Sequence, residues 1–368
     1  MLVSAMKKTI LFCLVFVLLV STVLSACFLP RISCSPKPKD EGGDIVESEG
    51  LQFALNEDGE GYTVVGVGSC KEETRIVVPS MCEGKPVVSF KAGIFDDAKD
   101  LEELVLSDGM KFIPDSGVSL HKVLKSVTMA NSISWIGEYA FQQCPNLETV
   151  NISENVDTLR LGIFYNCPKL SRVTLSEGIT TIGDSAFYGC TSLTEITLPD
   201  SLTTMGGSVF SGCSGLTSME IPRKVTEIKE SVFQDCQRLQ AVTLPDGLLC
   251  IGHSAFYKCR ALRMINIPQN VKAIGWSAFR DCTELASVEL GEGIKEIDGS
   301  VFAGCKKLPS IIIPLSVMKM GSYVFDGAKE DMVINVRASS KPDDWHDKWN
   351  EDYKMPGGRT VVWGYTGK

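Results

Sequence analysis

Ile182-Gly183-Asp184-Ser185-Ala186-Phe187-Tyr188-Gly189-Cys190-Thr191-Ser192-Leu193-Thr194-Glu195-Ile196-Thr197-Leu198-Pro199 carries a pattern that recurs through most of this chain, and the architecture follows from it. Its phenylalanine belongs to a series. From Phe141 to Phe325 a phenylalanine stands every 23 residues, and stepping backwards reaches Val118 and Phe95. Three residues after each comes a cysteine, from Cys144 to Cys305, with Ala98, His121 and Ala328 at the ends of that column. Three further on comes a leucine, from Leu101 to Leu308. No insertion or deletion breaks the phase. A period this constant marks a solenoid.

One unit predicts how each coil is made. Apolar and polar residues alternate from Ile196, giving a short strand with Ile196 and Leu198 inward. Pro199 ends it, because a proline has no N–H for a ladder. Leu202 and Met205 point inward, Gly206-Gly207 turns the chain, and Val209, Phe210 and Cys213 close the coil. A single coil offers one layer of apolar residues, too few to bury alone. Stacked in register about 4.8 Å apart, ten to eleven coils place Phe on Phe and Leu on Leu in a core roughly 50 Å long. The end ring, Phe325, is expected to have fewer packing neighbours than Phe233.

The pattern Ile-Gly-x-x-Ala-Phe-x-x-Cys-x-x-Leu-x-x-Ile-x-Ile-Pro resembles the BspA-type leucine-rich-repeat family of bacterial surface proteins. Ile136-Gly137, Ile251-Gly252 and Ile274-Gly275 open further good copies, and the likeness spans about residues 76 to 336. It weakens at Val118 and His121, and at Arg160-Leu161-Gly162, where the glycine has moved. The resemblance implies a leucine-rich-repeat solenoid, mostly β, of short parallel strands over residues 91–336. It also implies a capping segment over 51–90 that contains a hairpin, and a C-terminal cap over 337–368. In that last segment Trp345, Trp349 and Trp363 supply aromatics to cover the bare end coil.

The N-terminus reads as an export signal. Lys7 and Lys8 precede an apolar run from Ile10 to Val20, then Leu24-Ser25-Ala26-Cys27, which resembles a bacterial lipobox. The resemblance implies cleavage after residue 26, lipid on Cys27, and an outward-facing chain anchored to a bacterial membrane. An ordinary signal peptide cut near Ala26, or a retained membrane span, are the alternatives, and Met6 is the better natural start than Met1. Residues 27–50, rich in Pro, Gly and charge, read as a flexible tether. Of 36 Lys and Arg, removal of Lys7 and Lys8 leaves 34 against 45 acidic residues, a net charge of −11. That balance argues against nucleic acid as a partner, whose binding rests on phosphate neutralisation.

Little here suggests catalysis or a cofactor. The three His, at 121, 253 and 346, fall in the Cys column, a turn and the terminal cap. Gly84-Lys85-Pro86 lacks the hydroxyl residue of a phosphate loop. Asp343, Asp344, His346 and Asp347 offer metal-ligand chemistry but read better as a solvated turn. Eight of the 14 Cys occupy the inward column, where Cys serves as a small apolar filler and is expected reduced. Cys70 and Cys82 are the pair best placed for a disulfide.

Function in a solenoid lies in the positions that the repeat leaves free. The outward strand positions form a Thr/Asn/Ser/Glu ladder, which strand propensity alone explains at its threonines. Arg172, Glu220, Met264, Asn266 and Glu289 are the candidate contacts on it. The family resemblance implies adhesion or recognition of a protein or glycan partner, on host matrix or another microbe. A passive structural spacer or coat component is the competing expectation.

Overall fold

The computed structural model describes residues 32–33, 48–352 and 358–367. The export signal, Cys27 and nearly all of the segment read as a tether therefore lie outside the described residues. The described chain is a mostly β solenoid of about 13 turns. Parallel pairing fixes the coil register at the repeat period: Arg172 lies opposite Thr149, and Thr149 opposite Ser126. Two further turns join the array off-period. Arg75 pairs with Glu103, and Val333 with Thr360, each across a spacing longer than the repeat. A search at the fixed repeat step misses both, so the sequence alone shows only ten to eleven coils.

Most coils carry two short strands where the sequence predicts one. Besides the first ladder, a second runs through Thr158–Leu159, Thr181–Ile182 and Thr204–Met205. It resumes from Glu227–Ile228 to Lys319–Met320. A two-residue strand is too short to show alternation, so sequence pattern cannot announce it. The first ladder is interrupted, in turn, at the coil used above to predict it. Residues 192–199 form no strand. Leu198 is buried there, but Val173, Leu175 and Ile196 are only half-buried.

The core follows the columns. Every phenylalanine from Phe141 to Phe325 is fully buried, and neighbouring rings stack with centroids 5.1 to 5.9 Å apart. The stack ends against Trp349, whose ring meets Phe325 edge-on at 6.2 Å. Trp345 and Trp363 pack on Trp349 in turn, and the Trp345 Nε1–H donates to the Val317 carbonyl at 3.2 Å. Phe325 thus has aromatic cover on both sides, contrary to expectation.

The cysteines are more than filler. Each Sγ–H in the column donates to a backbone carbonyl 26 residues earlier, as Cys167 does to Phe141 at 3.0 Å and Cys259 to Phe233 at 3.0 Å. The same Phe carbonyl also accepts the amide of its own coil's Cys, as in Cys236 N–H to Phe233 O at 3.2 Å. Alanine would fill similar space and leave the second lone pair bare. His121 occupies this column with Nε2 3.0 Å from the Ala98 carbonyl, so the polar link survives the substitution. All eight column thiols are free and buried.

At the N-terminal end Gln52–Leu55 and Tyr62–Gly66 pair antiparallel, and Lys85–Phe90 adds parallel to the second of them. The disulfide suggested between Cys70 and Cys82 does not form. Cys70 is a free thiol that donates to the Glu49 carbonyl at 2.9 Å, while Cys82 is disulfide-bonded, and not to Cys70.

Candidate functional site

The five residues singled out on the strand face are all exposed, because inward and outward side chains alternate along each strand. The fold brings only some of them together. Met264 lies opposite Ser287, and Asn266 opposite Glu289, on neighbouring strands Met264–Ile267 and Ser287–Leu290. Met264 is 59% exposed beside this pair. Glu220 sits opposite Thr243, two coils earlier, and Arg172 opposite Thr149, two coils earlier again. Arg172 and Glu289 are thus five coil steps apart, about 24 Å at ladder spacing. A partner bridging all five would have to span that length, whereas Met264, Asn266 and Glu289 form one patch.

The second ladder presents a face that sequence reasoning missed. Phe112 and Trp135 project from it on paired strands and stay largely exposed, at 42% and 47%. The Arg160 guanidinium lies 3.3 Å from the Trp135 ring centroid, a cation held over the electron-rich face of the indole. Further along, a groove of 610 Å³ is lined by Glu227, Lys229, Cys250, His253, Glu296 and Asp298 among others. The signal was present, as another column at the same repeat spacing. Without the second strand there was no reason to read that column as outward.

The buried titratable groups of the columns serve the packing of the coils. Burial pushes the Cys190 thiol up to about 12, and also raises those of Cys213, Cys259 and Cys282 well above the ordinary thiol value. Desolvation lowers the His121 imidazole against the help of the Ala98 carbonyl. In the terminal cap the His346 Nδ1 accepts the Lys348 N–H at 3.0 Å, and Asp347 pairs with Lys341 at 2.7 Å. Of the residues considered there for metal ligation, His346 and Asp347 thus make bonds within the cap. Among the described residues no group of three or more His, Cys, Asp or Glu converges on a common point.

A β-solenoid with leucine, phenylalanine and cysteine columns at one fixed period defines a leucine-rich-repeat protein. The chain belongs to the BspA type leucine rich repeat region family, which matches residues 88–217 and 209–330 in six copies. None of the curated proteins matches it in sequence. Among solved structures it is similar to the pneumococcal vaccine antigen PcpA, at 17% identity and a TM-score of 0.53, over 88% of this chain and 86% of that one. It also resembles a leucine-rich repeat protein from Bacteroides ovatus, at 19% identity and a TM-score of 0.49, over 87% of this chain and 100% of the other. These likenesses concern the fold alone.

Proposed function

We propose that this chain is an exported recognition protein, lipid-anchored through Cys27 on the outer side of a bacterial membrane, that binds a partner protein through its strand face. The observation that carries this reading is the contrast between fixed and free positions. The Phe column stays constant from coil to coil, while the outward positions vary and collect Met264, Asn266 and Glu289 on adjacent strands. A stacked strand surface is rigid, so docking orders little chain and loses little entropy. Met and Arg are enriched in interface cores and Glu depleted, which makes Met264 and Arg172 better anchors than Glu220 or Glu289. The reading involves no catalytic step.

Binding of the purified protein to an array of extracellular-matrix proteins tests it, with Arg172 and Met264 both replaced by Thr. The double variant should keep its melting temperature, since both side chains are exposed, and lose at least about tenfold in affinity, or 1.4 kcal/mol. Unchanged affinity in the folded variant overturns the strand face as the site. No binding by the parent favours the passive spacer. Separately, Cys27→Ser should move the protein from the detergent phase to the aqueous phase, and unchanged partitioning overturns the anchor.

A further inference from the structure

A second site stands at the edge of the coils that follows the second ladder. His253 and Trp276 hold one repeat position in adjacent coils, and Tyr257 and Arg280 hold the position four residues later. The flanking coils carry Glu230 and Gln234 on one side, Gly299 and Ala303 on the other, so this square of aromatic and basic side chains occurs once. His253, Ser254, Tyr257, Trp276, Ser277 and Arg280 together line a shallow cavity of 310 Å³. Trp276 is 49% exposed over it. An indole left this exposed contributes little to the core, and such exposed apolar surface marks contact sites.

Hydrogen bonds fix the backbone beneath the square and the ring of His253. The Trp276 N–H donates to His253 Nδ1 at 2.9 Å. The Ser254 N–H donates to the Trp276 carbonyl at 2.8 Å, and the Lys258 N–H to the Arg280 carbonyl at 2.9 Å. The first of these bonds has a chemical consequence. A ring nitrogen that accepts is unprotonated, so the neutral His253 carries its proton on Nε2 and offers a donor there. The serine hydroxyls add further donors and acceptors. Arg280 brings a planar fork suited to a carboxylate, and Lys258 places Nζ 4.9 Å from the Tyr257 ring centroid. No carboxylate lines the cavity, although the chain as a whole carries a net charge of −9.

We propose that this edge binds a pyranose residue bearing a carboxylate, the unit of acidic glycans. A sugar ring has an apolar C–H face that lies flat on an indole and a rim of hydroxyls that needs small polar partners. Its carboxylate requires a cation, here Arg280, with no acid in the cavity's own lining, the acids that His253 also borders, such as Glu230 and Asp298, belonging to the neighbouring groove. The cavity supplies all three, on an edge of the coil separate from the strand face, so this site and that one stand or fall independently.

The test is saturation-transfer NMR on the full chain with trigalacturonate and sialyllactose, with galactotriose as the neutral sugar and a Glu-rich peptide as the acidic competitor. At least one acidic sugar should bind. Trp276→Ala should weaken it by at least about tenfold, while Trp276→Phe retains part of the binding by keeping a flat ring. Arg280→Gln should bring acidic sugar down to the level of galactotriose, and Met264→Thr should leave binding unchanged. Melting curves establish that each variant folds. Failure of both acidic sugars to bind, equal binding in folded Trp276→Ala, or preference for the Glu-rich peptide overturns the proposal.

Discussion

A column thiol in this protein is at once a core atom and a hydrogen-bond donor, and both properties have consequences for its titration. Buried thiols at Cys190, Cys236 and Cys305 are pushed up because the thiolate would lose its water. Below the unfolded value of about 8.5 both states keep the proton, and these groups make stability no different with pH. Above it the unfolded chain releases protons that the folded chain retains. Stability then falls by about 1.4 kcal/mol per pH unit per thiol, up to about 12 at Cys190. Urea midpoints should therefore drop between pH 8 and pH 10, and Cys236→Ala with Cys259→Ala should flatten that drop. An unchanged pH slope in the double variant contradicts the assignment. The phenylalanines offer a second check. Phe233→Ala should cost about 3–5 kcal/mol, and Phe325→Ala a similar amount, since Trp349 covers the end ring. A sub-kilocalorie loss at Phe325, measured by denaturant melts, contradicts the capped stack. The residue columns were legible in sequence because every coil repeats them. That the thiol meets a Phe carbonyl was not, because it depends on the path of the neighbouring coil's backbone.

At the scale of elements, the array is held at its ends by different means. The C-terminal strand Thr360–Trp363 pairs with Val333–Val336, and a buried ion pair locks the segment beside it. Arg359 Nη2 meets Asp352 Oδ2 at 2.8 Å and the Ala328 carbonyl at 2.8 Å, while Arg359 Nε donates to the Lys329 carbonyl at 3.1 Å. Asp352 Oδ2 also accepts the Gly327 N–H at 2.8 Å. Removing one partner leaves a buried charge uncompensated, so Arg359→Met should cost about 3–5 kcal/mol. Adding Asp352→Asn should recover part of this, as thermal melts can show; equal losses in the single and double variants contradict the pair. By contrast the inter-coil pair Lys307 with Glu284 at 2.6 Å is exposed, and pairs of that kind contribute under about 1 kcal/mol. The tryptophans were legible as cover for a bare coil. Arg359 and Asp352 were not, since neither stands in a repeating column and no spacing links them.

On the scale of the whole molecule, the chain is a rigid rack on which a few side chains break the repeat. Arg172 and Met264 were readable as such breaks because the alternation of a strand says which way they face. The His253–Trp276 square and the Trp135–Arg160 stack needed the second ladder before their positions acquired a direction. Strand face, thiol ladder and aromatic square all depend on coils stacked in register at the repeat period. Excising one whole coil is the sharpest test of that dependence. Deletion of 210–232 joins Val209 to Phe233 and restores every column, whereas deletion of 210–229 stops short of a full period and breaks the phase of every column at the junction. Thermal unfolding followed by circular dichroism should show a cooperative transition, close to that of the parent, for the whole-coil excision and none for the shorter one. Equal behaviour of the two variants, whether both fold or neither does, would contradict the in-register solenoid.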